Sequence, residues 1–224
     1  MAEFGLIEGV LAMYRLGWFP MADAATGDLD WFRPRRRGVL PLVAPGFQVP
    51  RSLRQKVRAG RFEIRTDTAF RDVITACSKP RPAEPHSWID ARIIETYCLL
   101  HDAGHAHSVE AWYTPVAGEE RLVGGLYGIH LGGVFFGESM FCLPDQGGTD
   151  ASKVCLVHLV HHMRRRGMTL LDTQLWNRHL AQFGCRELPH GGFIKLLDAA
   201  LRIHADWLPF EAAKTSDDMR RPAP

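Results

Sequence analysis

Three side chains stand out for the chemistry they can do. Asp172 and Gln174 lie two residues apart in TLLDTQ (169–174), a short apolar run of β character. Glu138 stands near the end of LVGGLYGIHLGGVFFGESMF (122–141), a long apolar run punctuated by glycines. Side chains at i and i+2 of a strand share one face, so the spacing predicts that Asp172 and Gln174 project side by side. An acid inside an apolar strand is costly unless it is paired or used. We therefore place the chemistry in these two stretches and look to the rest of the chain for substrate binding.

The basic residues are unevenly spread. Net charge is only +2, but ten cations lie between Arg33 and Arg65 against one acid, Glu63. Such a cluster points to a polyanionic partner. Within it, Arg51, Arg54 and Arg58 recur at i, i+3 and i+7 and form one stripe on a short helix. Two histidine groups, His101/His105/His107 and His158/His161/His162, have the look of metal sets. The first crosses a helix end at Gly104, and the second is read on a polar helix face opposite Leu156 and Met163. Neither brings an acid or thiol partner, so no metal is expected. Five cysteines, an odd number without C-x-x-C spacing, read as reduced thiols in a cytoplasm.

The elements that must position these residues follow from periodicity and turn chemistry. At 224 residues and 46% hydrophobic, the chain has room for one good core or two small lobes. No apolar run reaches the roughly 18 residues that span a bilayer, and no secretory signal is evident. Residues 4–16 read as a helix with Leu6, Val10 and Met13 on its stripe and Gly17 as its stop. Aromatics (Trp18, Phe19, Trp31, Phe32) flank a polar loop. GVLPLV (38–43) reads as a strand that Pro41 places at an edge. A basic helix over 50–59 ends at Gly60, and a strand follows at 62–65. Thr66 or Asp67 is expected to cap a helix to about Ala76. The proline-rich stretch 78–85 is the boundary between an N-terminal basic lobe (1–78) and a catalytic lobe (86–210), with a flexible tail over 211–224. Ser87 is expected to cap a helix striped by Ile89, Ile93, Tyr97 and Leu100. Strands over 106–114, 121–131 and 134–141 form an antiparallel meander. A helix from Thr149 to Arg166 buries Leu156, Leu159, Val160 and Met163. The 169–174 strand and short helices near 177–183 and 193–202 close an α+β chain with one mixed, mostly antiparallel sheet.

Several motifs, taken in order, resemble the leucyl/phenylalanyl-tRNA–protein transferase family. They are GWFPM (17–21), WFRPRRRGVLPL (31–42), SWID (87–90), LHDAGHAHSVEAW (100–112), LVGGLYGIHLGGVFFGESMF (122–141), ASK (151–153), LLDTQ (170–174) and NRHL (177–180). The combination of GHAHSVE, LVGGLYG and GESMF is specific to that family. There are departures. Met21 stands where the family commonly has tryptophan, Cys142 replaces a serine and Thr173 a cysteine. The 143–150 segment is longer, the arginine pair near Pro189 is missing, and the stretch before the first motif is short.

The resemblance implies a GNAT-like catalytic lobe. It also implies transfer of leucine or phenylalanine from charged tRNA to the α-amine of proteins beginning with arginine or lysine, which marks them for degradation. The reaction is aminolysis of an activated ester and needs no cofactor. An α-amine has a pKa of about 8, so the demand is for positioning and modest help with a proton. The resemblance assigns that help to Asp172 with Gln174. A tRNA ribose hydroxyl shuttling the proton is the competing mechanism. Glu138 is expected to hold the cationic acceptor or the aminoacyl end. Leu126, Val134, Phe135, Met140 and Met163 map to the aminoacyl pocket, and Trp88 and Met21 to the adenosine wall. Arg51, Arg54 and Arg58 are assigned to tRNA phosphates. Two alternatives are an acyl-CoA-dependent N-acetyltransferase of the same broad fold, with DQGGTDASK (145–153) as its glycine-rich turn, and a plain RNA-binding module.

Overall fold

The computed structural model describes residues 2–22, 26–80 and 87–210. Residues 81–86, which include most of the expected connector (78–85), and the expected tail (211–224) lie outside the described residues. Seven α-helices are described: α1 (Ala2–Arg15), α2 (Arg51–Ala59), α3 (Phe70–Cys77), α4 (Ala91–Asp102), α5 (Ala151–Arg165), α6 (Arg178–Ala181) and α7 (His190–Leu201). The strands are β1 (Phe19–Ala22), β2 (Leu29–Phe32), β3 (Arg36–Leu40), β4 (Glu63–Thr66), β5 (Ala106–Tyr113), β6 (Arg121–Leu131), β7 (Val134–Cys142), β8 (Leu170–Asp172) and β9 (Arg186–Pro189). β1 and β2 pair as a separate antiparallel ribbon. The other seven form one sheet in the order β4-β5-β6-β7-β8-β3-β9. It is antiparallel except where β7 and β8 run parallel. This is the mixed, mostly antiparallel α+β sheet expected from the sequence. It draws β3 and β4 from before the connector and β5–β9 from after it.

The meander forms because 106–142 is rich in β-formers with short turns between the runs. Successive residues of its strands supply two cores. Leu126, Phe135 and Met163 belong to a cluster with α2 and α5, whereas Tyr127, Val134 and Phe136 belong to one with α1, α3, α4 and α7. Helices therefore cover both faces of the sheet, and both faces read as apolar. No helix among the described residues is long and apolar enough to cross a membrane.

Several local expectations need correction. β3 is not an edge strand: it lies between β8 and β9, and Pro41 falls just past its end. The cost of proline in a ladder is thereby avoided. The strand β9 and the β1–β2 ribbon were not expected. The α1 stripe is Ile7, Val10, Leu11 and Tyr14, whereas Leu6 is exposed. The N-cap of α4 is Asp90, whose carboxylate accepts from Ile93 N at 3.0 Å, and Ser87 Oγ accepts instead from Ile89 N at 3.1 Å. α3 has no side-chain cap from Thr66 or Asp67. The carboxylate of Glu110, fully buried on β5, accepts from Thr68 N at 2.9 Å and Ala69 N at 2.8 Å instead. A long-range acid thus satisfies donors at the helix entrance, where negative charge is favoured.

Candidate active site

The three residues singled out from the sequence do converge, but not by strand alternation. β8 ends at Asp172, and Gln174 has a left-handed φ of +51°. The contact comes from a turn: Gln174 N donates to Asp172 Oδ1 at 2.9 Å, and Gln174 Nε2 donates to Glu138 Oε1 at 2.9 Å. A left-handed non-glycine residue persists only where its surroundings hold it. β3 supplies the hold. Gly38 N donates to Gln174 O at 2.9 Å, and Thr173 N donates to Gly38 O at 3.0 Å. A Cβ on Gly38 would lie 2.7 Å from the Leu175 carbonyl carbon and 2.8 Å from Trp176 N. Glycine lets the turn close against the strand.

Glu138 is aimed by a break in register. Tyr127 faces Ser139 and Gly128 faces Gly137, which leaves Glu138 as the extra residue of a β-bulge. A bulge re-aims a side chain, and here it turns Glu138 toward the α1/α4 side. A Cβ on Gly128 would stand 2.1 Å from Phe136 O, so the strand opposite the bulge needs glycine. Tyr14 OH donates to Glu138 Oε1 at 2.8 Å and accepts a short bond from Tyr97 OH. The β7–β8 pairing also stops here, at Phe136 and Asp172, so the two strands part beside Glu138 and Gln174.

The two acids live in opposite electrostatic conditions. Asp172 is fully buried and bound to Arg37, which is 1% exposed. Arg37 Nε and Nη2 reach Asp172 Oδ1 and Oδ2 at 2.8 and 2.6 Å, a bidentate pair. Glu138 has no such cation. Burial pushes its carboxyl up to about 8, with the negative charge of Asp172 adding to the rise, while the Tyr14 bond and Arg37 oppose it. Burial likewise raises the Tyr14 and Tyr97 phenols well above their usual range. A carboxyl that titrates near 8 beside a fixed amide can exchange a proton with an amine of similar pKa.

The remaining sequence assignments divide. Met21 and Trp88 are brought together: Ala22 N donates to Trp88 O at 3.3 Å, and both side chains are half-buried against one core with Trp31. Leu126, Phe135 and Met163 share one core with half-buried Met140 packed on it. Val134 belongs to the other core, because it neighbours Phe135 on an alternating strand. Arg51, Arg54 and Arg58 are exposed on α2, opposite buried Leu53 and Val57. Among the described residues no group of three His, Cys, Asp or Glu side chains is placed to hold a metal ion. His162 does not lie on a polar face: it is buried against Trp207 and Phe210. The sequence reading missed Arg37, Tyr14 and the role of Tyr97. Tyr14 carried a signal, since Ile7, Val10, Leu11 and Tyr14 follow i, i+3, i+4 and i+7.

The layered mixed sheet, with β7 and β8 parting beside the site, has a GNAT-like fold. The crystal structure of FemX shares the fold, with a TM-score of 0.54 at 12% identity over 81% of this chain and 66% of that one. The chain itself belongs to the leucyl/phenylalanyl-tRNA–protein transferase family. The family described as leucyl/phenylalanyl-tRNA protein transferase matches residues 39–198. Proteins carrying that name from Phenylobacterium zucineum and Chlorobaculum parvum are 48% and 46% identical to it. The first alignment covers 97% of this chain and 94% of its relative, and the second covers 87% and 95%.

Proposed function

We propose that this chain transfers leucine or phenylalanine from charged tRNA to the α-amine of proteins that begin with arginine or lysine, in the cytoplasm, marking them for degradation. The carbonyl carbon of the aminoacyl ester gains a bond to the acceptor nitrogen and loses its bond to the ribose oxygen. The amine gives up a proton and the ribose oxygen leaves as a hydroxyl. The single observation that carries this reading is the Glu138–Gln174 contact, in which a carboxyl with a pKa of about 8 stands beside an amide held in one orientation. Gln174 spends an N–H on Glu138 and keeps its Oε1 for the attacking amine. Glu138, once ionised, receives the amine's proton and offers negative charge to a cationic acceptor. Asp172 is buried behind Gln174 and acts through it. Met140, with Leu126, Phe135 and Met163 beneath it, receives the aminoacyl side chain. Met21, Trp88 and Trp31 receive the adenosine. The exposed α2 stripe of Arg51, Arg54 and Arg58 meets tRNA phosphates.

An acyl-CoA donor fits less well. At the start of α5, Asp150 forms ion pairs with Lys56 and Lys153. The N-cap carboxylate therefore already takes up the two lysine charges that a pyrophosphate at this entrance would need. The test is transfer of radiolabelled leucine from Leu-tRNA to peptides beginning with arginine, lysine, aspartate or glutamate. Transfer to the arginine and lysine peptides alone is expected. Transfer to acidic peptides would overturn the acceptor assignment. Absence of any transfer, with saturable acetyl-CoA binding, would overturn the donor.

A further inference from the structure

Within the basic run, Arg37 behaves unlike its neighbours. Arg35 and Arg36 are exposed, whereas Arg37 is buried. All three of its guanidinium nitrogens are engaged: Nε and Nη2 with Asp172, and Nη1 with Gly17 O at 2.9 Å. Its Cζ lies over the rings of Phe19 and Phe193, 4.8 and 4.7 Å from their centroids. Gly17 has a φ of +79°, and a Cβ there would meet Ile194 at 3.1 Å and Phe193 at 3.3 Å, so the chain is shaped to pass closely around this cation. A cation so enclosed cannot contact tRNA. Nor is a buried ion pair an obvious route to stability, since apolar residues of similar volume often serve as well or better. What the pair does have is a direct line to the site. Asp172 Oδ1, fixed by Arg37, also accepts from Gln174 N at 2.9 Å and so closes the left-handed turn, and Gln174 then reaches Glu138.

We infer that Arg37 is a positioning residue for aminoacyl transfer: it anchors Asp172, and through Asp172 the turn that presents Gln174 to Glu138, and it offsets part of the Asp172 charge felt at Glu138. The kinetic part rests on the function proposed above, but the electrostatic part does not. The groups facing Glu138 are Tyr14 from α1, Tyr97 from α4, Tyr127 from β6, Gln174 and Asp172 from the β8 turn, and Arg37 from β3. Among these, Asp172 and Arg37 push the Glu138 carboxyl in opposite directions. Removing either one alone shifts the Glu138 carboxyl further, in opposite senses, and removing both brings it back toward its wild-type position.

The experiment follows the Glu138 carboxyl directly by ¹³C NMR titration, with Glu138→Gln to assign the signal. Arg37→Met should move the midpoint up by about one pH unit or more. Asp172→Asn, which keeps an oxygen for Gln174 N, should move it down. Arg37→Met/Asp172→Asn should return it close to the wild-type value. In the transfer assay, Arg37→Met should lower kcat roughly 100-fold, a loss typical of misplaced groups, with KM for Leu-tRNA little changed. Arg37→Lys should recover part of kcat. If Arg37→Met does not fold, the downward shift in Asp172→Asn decides. An unmoved midpoint in the single variants, or a loss confined to KM, would overturn the inference. Inactive wild-type protein with the expected NMR shifts would instead overturn the proposed function and leave the clamp standing.

Discussion

Two buried polar clusters lie against the same sheet, and they use similar residues to different ends. Around Trp207, Asp67 accepts from Ser108 N at 2.8 Å, from Trp207 Nε1 at 2.9 Å, and bonds His107 Nδ1 at 2.9 Å. His107 stacks on Trp207 at 4.5 Å, and His162 packs edge-on to it at 4.8 Å. Burial holds His162 down at about 4 and lowers His130, so these rings are neutral near pH 7. Around Glu138 the cluster instead holds an ion pair, a carboxyl lifted to about 8 and a bonded pair of phenols. Backbone strain does not separate the two, because Asp67 and Gln174 both have positive φ. The difference is that the Trp207 cluster keeps its buried His162 ring neutral within a stack of rings, while the Glu138 cluster keeps one acid out of balance at neutral pH. An unbalanced acid is what a reaction can use, and a neutral stack is what packing can use.

The largest effect that tests this contrast is Asp172→Ala. It leaves Arg37 as an uncompensated buried charge, which costs about 3–5 kcal/mol of stability, and it releases the Gln174 turn. Transfer should fall about 10³-fold, measured as single-turnover rate on an arginine peptide. Transfer within a factor of two of wild type would place the site elsewhere. Glu138→Gln comes next. Transfer should fall roughly 10²-fold, in the range for a lost proton acceptor, yet the protein should become more stable. The sign follows from the direction of the shift. The folded pKa of about 8 lies above the unfolded value of about 4.3, so wild type loses stability as pH rises between those values. The melting-temperature advantage of the variant should therefore widen from pH 5 to 8 and stay level above. An advantage that is constant with pH would mean that Glu138 is not the lifted acid.

The same contrast explains what could be read in the sequence. The meander, α2, α4 and α5 were legible because periodicity and glycine stops act locally, and the stripe of Ile89, Ile93, Tyr97 and Leu100 is buried as expected. Asp172, Gln174 and Glu138 were legible as polar residues in apolar runs. The reason given for their meeting was not, because a left-handed turn and a β-bulge depend on β3 and β6 packing alongside. Arg37 was hidden by its company: three consecutive arginines look alike until β3 enters the sheet and buries one of them. Trp207 and its histidines were unreadable for a similar reason, since Asp67 and Trp207 are brought together by the tertiary fold alone. A residue whose role is set by a distant strand leaves little trace in local pattern.

Trp207 offers the converse test to Glu138. Trp207→Ala removes the stack and the Asp67 bond, and should cost about 2–3 kcal/mol by denaturant unfolding. Trp207 also stacks on Phe135 beneath the aminoacyl pocket at 5.3 Å, so under conditions where the variant is fully folded any change should fall on KM for Leu-tRNA while kcat for transfer matches wild type. A parallel fall in kcat would tie the two clusters together and end the division of labour drawn between them.

The smallest effect concerns His162 alone and runs opposite in pH to that of Glu138. Its folded pKa of about 4 lies below the unfolded value of about 6.5, through burial first and the nearby Arg166 and Arg165 second. Its contribution is fully present above pH 6.5 and is lost as pH falls toward 4. His162→Leu keeps an apolar ring-sized group against Trp207 and Phe210 but cannot take up a proton. Relative to wild type it should gain stability only below pH 6.5, reaching about 2 kcal/mol by pH 5, or roughly 4–8 °C in midpoint. Glu138→Gln shows its gain toward alkaline pH and His162→Leu toward acid. Two buried clusters that titrated for the same reason would move together, so melts of both variants across pH 5 to 8 separate an acid held unbalanced for chemistry from a base held neutral for packing.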